Sequence, residues 1–304
     1  MNNRRNRHLI SVITVLAVCF ALLTGCSNAD PLRAGYRINS DTIVIGSQDY
    51  YSNEIIAEIW AQALEQKGYK VDRQFRIGQR EVYLPEIEAG NIDLLPEYTG
   101  PLLQYWQRDT AARRSDDVYA QLQRATPGKL RVLEQSPATD QDSYVVTREF
   151  ADKWALTTLK DLQRVTAPLT IGANSEAQKR NNGPRGLQRV YGVQTGFTPI
   201  EDSGGPLTVR ALKTDMIQLA IIYTADPAIK ANNLVALEDT EGLFLASHLV
   251  PLASNNVSTE AATIINSISA KLTTETLIAL NERSVTEQLT AAIIAKEWLA
   301  QAQL

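Results

Sequence analysis

Few residues of this 304-residue chain suit covalent chemistry: it holds two histidines and two cysteines. His8 and Cys19 fall within the first 25 residues, which leaves His248 and Cys26 for the remainder. That count excludes a zinc site built from several histidines or thiolates. A Ser-His-Asp hydrolase would have to use His248 as its only base, and no G-x-S-x-G elbow supplies its serine. The residues placed for binding are aromatic and charged instead. Tyr98 sits near the end of NIDLLPEYTG (residues 91–100), just after a short apolar strand, where a side chain meets the mouth of a cleft. Tyr223 ends a second apolar run, and Tyr144 follows Asp142 by two positions in a third. Tyrosine at such positions offers an apolar face with a polar tip.

The N-terminus argues for export. Arg4, Arg5 and Arg7 precede an almost unbroken apolar run from Leu9 to Leu23, and Leu23-Thr24-Gly25-Cys26 closes it with small residues before a cysteine. The pattern resembles a bacterial lipobox. It implies cleavage before Cys26, a diacylglyceryl group on that sulfur, and a body tethered to the outer face of the cytoplasmic membrane. An uncleaved anchor would need roughly 20 apolar residues, and this run is shorter and lacks a basic stop-transfer flank. The expected layout is a signal peptide over 1–25 and a flexible tether over 26–40. Removing residues 1–25 deletes three arginines and no acid, so the exported body is more acidic than the −4 of the whole chain. A nucleic-acid partner is thereby disfavoured. With Cys19 removed and Cys26 acylated, no disulfide can form, and stability must come from core burial.

The elements that position the tyrosines follow from apolar periodicity. TIVIG (42–46) reads as a buried strand. Ser52 is the expected cap of a helix whose Ile55, Ile56, Ile59, Ala63 and Leu64 share a face, with Gly68 as its stop. Strands are expected over 69–75, 92–95, 143–147, 169–172 and 217–223, and helices over 81–89, from 159 and over 206–213, the last with Pro206 in its first turn. Ser284 and Glu287 have capping-box spacing and are expected to open the last helix. This βαβ rhythm signals two α/β lobes, 41–140 plus 250–304 and 141–249, with a ligand cleft between them.

Several segments together resemble one family, the substrate-binding proteins of ABC transporters for glycine betaine, choline, carnitine and related osmoprotectants. They are GSQDYYSN (46–53), NIDLLPEYTG (91–100), Asp142-Ser-Tyr144, GLQRVYG (186–192), YTAD (223–226) and the helical tail from Leu280. The resemblance covers about residues 42–302. It implies a type II periplasmic-binding-protein fold with two crossover segments, a monomer that is not an enzyme and needs no cofactor or metal, and partnership with a permease and its ATPase. It also implies a tyrosine cage around a quaternary ammonium, an ion that cannot donate a hydrogen bond and is held by aromatic faces. The positions carried over are Tyr98, Tyr144 and Tyr223, with Asp142 as a nearby negative charge and Arg180 as a carboxylate clamp. The chain departs from the family pattern at Gln48, at Pro101, and at Ser247 or His248 where a fourth cage tyrosine is usual. Those departures favour choline, a bulkier betaine or a different small solute over glycine betaine. From other classes stand a secreted hydrolase built on His248 and a structural lipoprotein.

Overall fold

The computed structural model describes residues 41–302. The expected signal peptide, Cys26 and tether lie outside the described residues.

The first lobe is built on β1 (Thr42–Gly46), β2 (Lys70–Gln74), β3 (Leu94–Tyr98), β4 (Leu130–Val132) and β10 (Leu249–Ser254), in the order β2-β1-β3-β10-β4. β1 runs parallel to β2 and β3, whereas β10 is antiparallel to β3, with Leu249 opposite Tyr98. Helices α1 (Tyr51–Gln66), α2 (Arg80–Glu88), α3 (Thr99–Trp106) and α4 (Ser115–Ala125) belong to this lobe.

The second lobe carries β5 (Asp142–Thr147), β6 (Thr170–Ala173), β7 (Gly196–Pro199), β8 (Leu219–Tyr223) and β9 (Leu234–Ala236), in the order β7-β6-β8-β5-β9. β6 is parallel to β7 and β8, and β5 runs antiparallel to β8. Its helices are α5 (Arg148–Trp154), α6 (Pro184–Tyr191), α7 (Pro206–Lys213) and the short α8 (Ala228–Ala231). The chain crosses once between β4 and β5 and returns between β9 and β10, and a bridge pairs Thr139 with His248 where the crossings meet. Each sheet therefore contains one antiparallel strand next to a crossing, β10 or β5, inside otherwise parallel pairing. This is the type II arrangement.

Core burial concentrates on α1. Ile55, Ile56, Ile59, Trp60 and Leu64 are buried, and the tail helices α9 (Thr259–Ser269), α10 (Thr274–Thr286) and α11 (Ala291–Gln301) cover them with Ile265, Leu277, Leu280, Ile294 and Leu299. Each such side chain contributes about 1.5–3 kcal/mol relative to leaving it exposed, which is how a lobe without a disulfide is held. Among the described residues no helix is long and apolar enough to cross a membrane.

Three local expectations fail for physical reasons. Tyr50, not Ser52, is the N-cap of α1, and the Ser52 hydroxyl is buried without a partner. β3 begins at Leu94, two residues later than expected: ahead of it the Val44 N–H bonds the Asp93 carboxylate at 2.9 Å in place of a backbone carbonyl, and the Ser254 hydroxyl bonds the same carboxylate at 2.8 Å. Ser284 lies inside α10 and Glu287 directly follows it. Gln288 then takes a left-handed φ of 54°, and Thr290 caps the last helix by accepting from the Ile293 N–H.

Candidate functional site

The cleft is lined from strand ends. β1 stops at Gly46, and residues 47–50 turn toward the second lobe before α1 starts. Asn53 fixes that turn: its Oδ1 accepts the Gln48 N–H at 2.8 Å, and its Nδ2 donates to the Pro96 carbonyl at 3.0 Å. The turn is thus fastened to β3, and Tyr50 is brought beside Tyr98, the last residue of that strand.

Below Tyr98, Glu97 is fully buried. Its carboxylate accepts from Arg80 Nε at 2.8 Å and Nη2 at 3.0 Å, from the Tyr98 N–H at 2.8 Å, and from the Tyr83 hydroxyl. The fork satisfies a charge that could not otherwise stay buried. At Gly100 a Cβ would lie 2.9 Å from the Ala246 carbonyl and from Leu245, so only glycine lets α3 start against the returning crossover.

The second lobe contributes Tyr223, which ends β8 opposite Asp142 in register. Its ring stacks on that of Tyr50, centroids 4.9 Å apart and planes at 24°. Asp140, in the outgoing crossover, is 3 % exposed and accepts the Ala225 N–H at 2.9 Å. Burial pushes its carboxyl up to about 8, with Asp226 and Asp142 adding to the shift and the Ala225 N–H opposing it. Asp142 is raised in the same sense by burial, against the pull of Arg180 and Arg80. Burial likewise pushes the phenols of Tyr50, Tyr98 and Tyr223 upward, so all three stay neutral at physiological pH.

Two cavities open here. The larger, about 560 Å³, is lined among others by Arg80, Glu81, Pro101, Asp142, Arg180 and Asn182. The smaller, about 290 Å³, includes Tyr50, Tyr51, Asp140, Tyr223, Asp226 and Asn281 in its walls. Tyr223 lines the smaller cavity, and Asp142, opposite it in register, lines the larger, so the two cavities meet at this strand pair. The lobes are drawn together across this region. Arg180 donates to Glu81 at 2.8 and 3.1 Å, Gln79 to Ser203 at 3.2 Å, and Tyr51 to Asp226 at 2.9 Å.

Of the residues expected from sequence, Tyr223 lines the smaller cavity and Asp142 and Arg180 the larger, while Tyr98 is buried at the end of β3 in the first-lobe core. Tyr98, Tyr144 and His248 line neither cavity. Tyr144 is wholly buried in the second lobe, tilted against Phe244, and its hydroxyl donates to the Asn182 carbonyl at 2.6 Å. His248 sits in the returning crossover with Nδ1 2.9 Å from the Ser136 carbonyl, and Ser247 donates to the Asp140 carbonyl at 2.9 Å. Tyr50, Asp140 and Arg80 were not anticipated. The GSQDYYSN segment and the polar run before β5 carried the signal for the first two. Arg80 had none, since its partner Glu97 is 17 positions away.

Residues 41–301 match the model of the family described as the substrate binding domain of the ABC-type glycine betaine transport system. The chain belongs to this family. Among its relatives in the glycine betaine transport family is the glycine betaine-binding protein YehZ of Escherichia coli, 25% identical over 288 residues, covering 90% of this chain and 91% of that one. The carnitine transport binding protein OpuCC of Listeria monocytogenes is 25% identical over 302 residues, 96% of each chain. A crystal structure titled glycine betaine/carnitine/choline ABC transporter superposes with a TM-score of 0.69 at 21% identity, over 86% of this chain and 98% of that one, and so shares the fold. The chain is thus a substrate-binding protein of an ABC-type transport system and not an enzyme, which removes the hydrolase built on His248.

Proposed function

We propose that this protein captures a quaternary-ammonium solute between its lobes, outside the cytoplasm, and delivers it to a membrane permease. The observation that carries the reading is that Tyr50 and Tyr223 line one cavity together with the buried Asp140, with Tyr98 at the end of the strand beside them. A trimethylammonium takes no hydrogen bond and is attracted to ring faces, by about 0.5–2 kcal/mol per contact as it is desolvated. An acid beside the rings adds charge complementarity once ionised. The carboxylate end of a betaine would then turn toward the larger cavity, where Arg80 and Arg180 supply positive charge and Asp142 sets a limit on how deep it goes. In this reading Tyr144 acts from behind, holding the 180–182 segment through Asn182, and His248 belongs to the crossovers. Acylated Cys26 would keep the protein near its permease, and one copy suffices for the site.

Calorimetric titration with choline, glycine betaine, proline betaine and carnitine tests this, with at least one binding at micromolar to low-millimolar concentration. Absence of binding by all four at millimolar concentration would overturn it. One observation favours a second reading: Glu81 already engages Arg180, which weakens the carboxylate clamp. An uncharged or aromatic solute would then bind where the four amines do not.

A further inference from the structure

The smaller cavity has a chemical character that a trimethylammonium does not use. Asn281 reaches its wall from α10 and is 1 % exposed. Its Nδ2 donates to the Ala225 carbonyl at 3.1 Å, which fixes the amide orientation, because only the NH₂ end can serve a carbonyl. Oδ1 is left as a buried acceptor with no partner. Ser52, 3 % exposed in the first turn of α1, lines the same cavity with its hydroxyl also unpartnered. Asp140 stands on the same wall. Buried polar groups in folded proteins are almost always hydrogen-bonded, so two orphans from helices far apart in sequence, converging on one cavity, mark a place built to be completed by something else.

We infer that the smaller cavity is a second subsite, in which Asn281 Oδ1, Ser52 Oγ and the Asp140 carboxyl read a hydroxyl or N–H donor carried by the bound solute. The inference rests on the quaternary-ammonium reading above and adds a specificity to it. A solute with its cationic head at the tyrosines has this cavity on the Asp140 side of Tyr223 and the arginines on the other. A bare betaine leaves both orphans unsatisfied, whereas a hydroxylated one satisfies at least one. A site that accepts hydrogen bonds penalises the analogue that lacks the donor, which is the strong form of discrimination.

Carnitine and its deoxy analogue 4-trimethylammoniobutanoate differ by a single hydroxyl and are the probes. Titration of the full chain should show carnitine bound at least tenfold tighter. Ser52→Ala and Asn281→Leu should each narrow that ratio below threefold while leaving the affinity for the deoxy compound within twofold. Ser52→Ala removes a group with no partner and should fold normally, so it decides the matter if loss of the Ala225 bond prevents Asn281→Leu from folding. Equal binding of the two compounds, or a ratio that survives substitution, overturns the subsite and leaves the quaternary-ammonium reading standing. Binding of neither, together with failure of choline and glycine betaine, overturns both.

Discussion

Arg180 of the second lobe reaches Glu81 of the first, Nη2 to Oε2 at 2.8 Å and Nε to Oε1 at 3.1 Å, so the residue expected to clamp a ligand carboxylate instead ties the lobes together. Glu81 has 41% of its side chain exposed, which limits the pair to about 1 kcal/mol or less. Glu81→Gln should therefore free the guanidinium at little cost in stability. The expected result is a rise of about fivefold in the affinity for a carboxylate-bearing amine relative to choline, read by calorimetry, with a larger ligand-free radius of gyration in X-ray scattering. An unchanged ratio would show that Arg180 plays no part in carboxylate recognition.

Tyr98 separates ring from hydroxyl. Its hydroxyl is buried without a geometric partner, so Tyr98→Phe should leave stability within about 1 kcal/mol and retain ligand affinity. If Tyr98 forms a face of the proposed cage, Tyr98→Ala should weaken a quaternary amine at least tenfold. Equal affinities for the Phe and Ala variants would rule out a cation held by that ring.

Asp140 should make the proposed binding depend on pH. Its folded carboxyl titrates at about 8, far above the ordinary 3.8, so between those values the folded state keeps a proton that the unfolded chain has released. Unfolding free energy therefore falls as pH rises from about 4 to about 8, and the loss is complete above that. Asp142 and Asp226, both raised, act in the same sense. A cation favours the ionised acid, so its affinity should grow with pH up to about 8 and its binding should release a proton. Calorimetry in buffers of different ionisation enthalpy measures that release, and Asp140→Asn should abolish it. Proton release undiminished in the variant would assign the effect to another group.

Arg80 and Glu97 should behave as a buried pair. Arg80→Leu leaves the Glu97 carboxylate, fully buried, without its fork, at a cost of about 3–5 kcal/mol in denaturant unfolding. Because the same carboxylate holds the Tyr98 N–H, ligand affinity should fall as well, and by more than in Tyr83→Phe, which removes only one hydroxyl contact. A loss below 1 kcal/mol would mean water replaces the guanidinium.

The buried strands β1, β5, β6 and β8 were legible as apolar runs, and Pro206 marked the start of α7 to the residue, whereas β4, β7, β9 and β10 were not expected. Helix entry at Tyr50 was not, since it depends on no side-chain cap. The displaced capping box shows the same limit: Ser284 and Glu287 have the right spacing, but the turn is made by the backbone at Gln288. Within the site, Tyr98 and Tyr223 were readable as strand-end tyrosines. Tyr144 has the same composition around it, and only the sheet's placement turns its ring into the lobe interior. Asp140 and Asn281 were hidden because their meaning lies in burial and in partners on other elements, the Ala225 N–H and carbonyl.

That shared hold on Ala225 bears on how the protein comes into being. Asp140 grips the residue from a crossover and Asn281 from a tail helix, with 85 and 56 positions of chain between each and its target. Each contact closes a long loop, and the entropy of that closure must be offset before the contact stabilises the fold. The wall of the smaller cavity is therefore complete only when crossover and tail helix are both in place. A chain with its tail helices undocked would lose both the cover of the first-lobe core and Asn281 from the cavity wall.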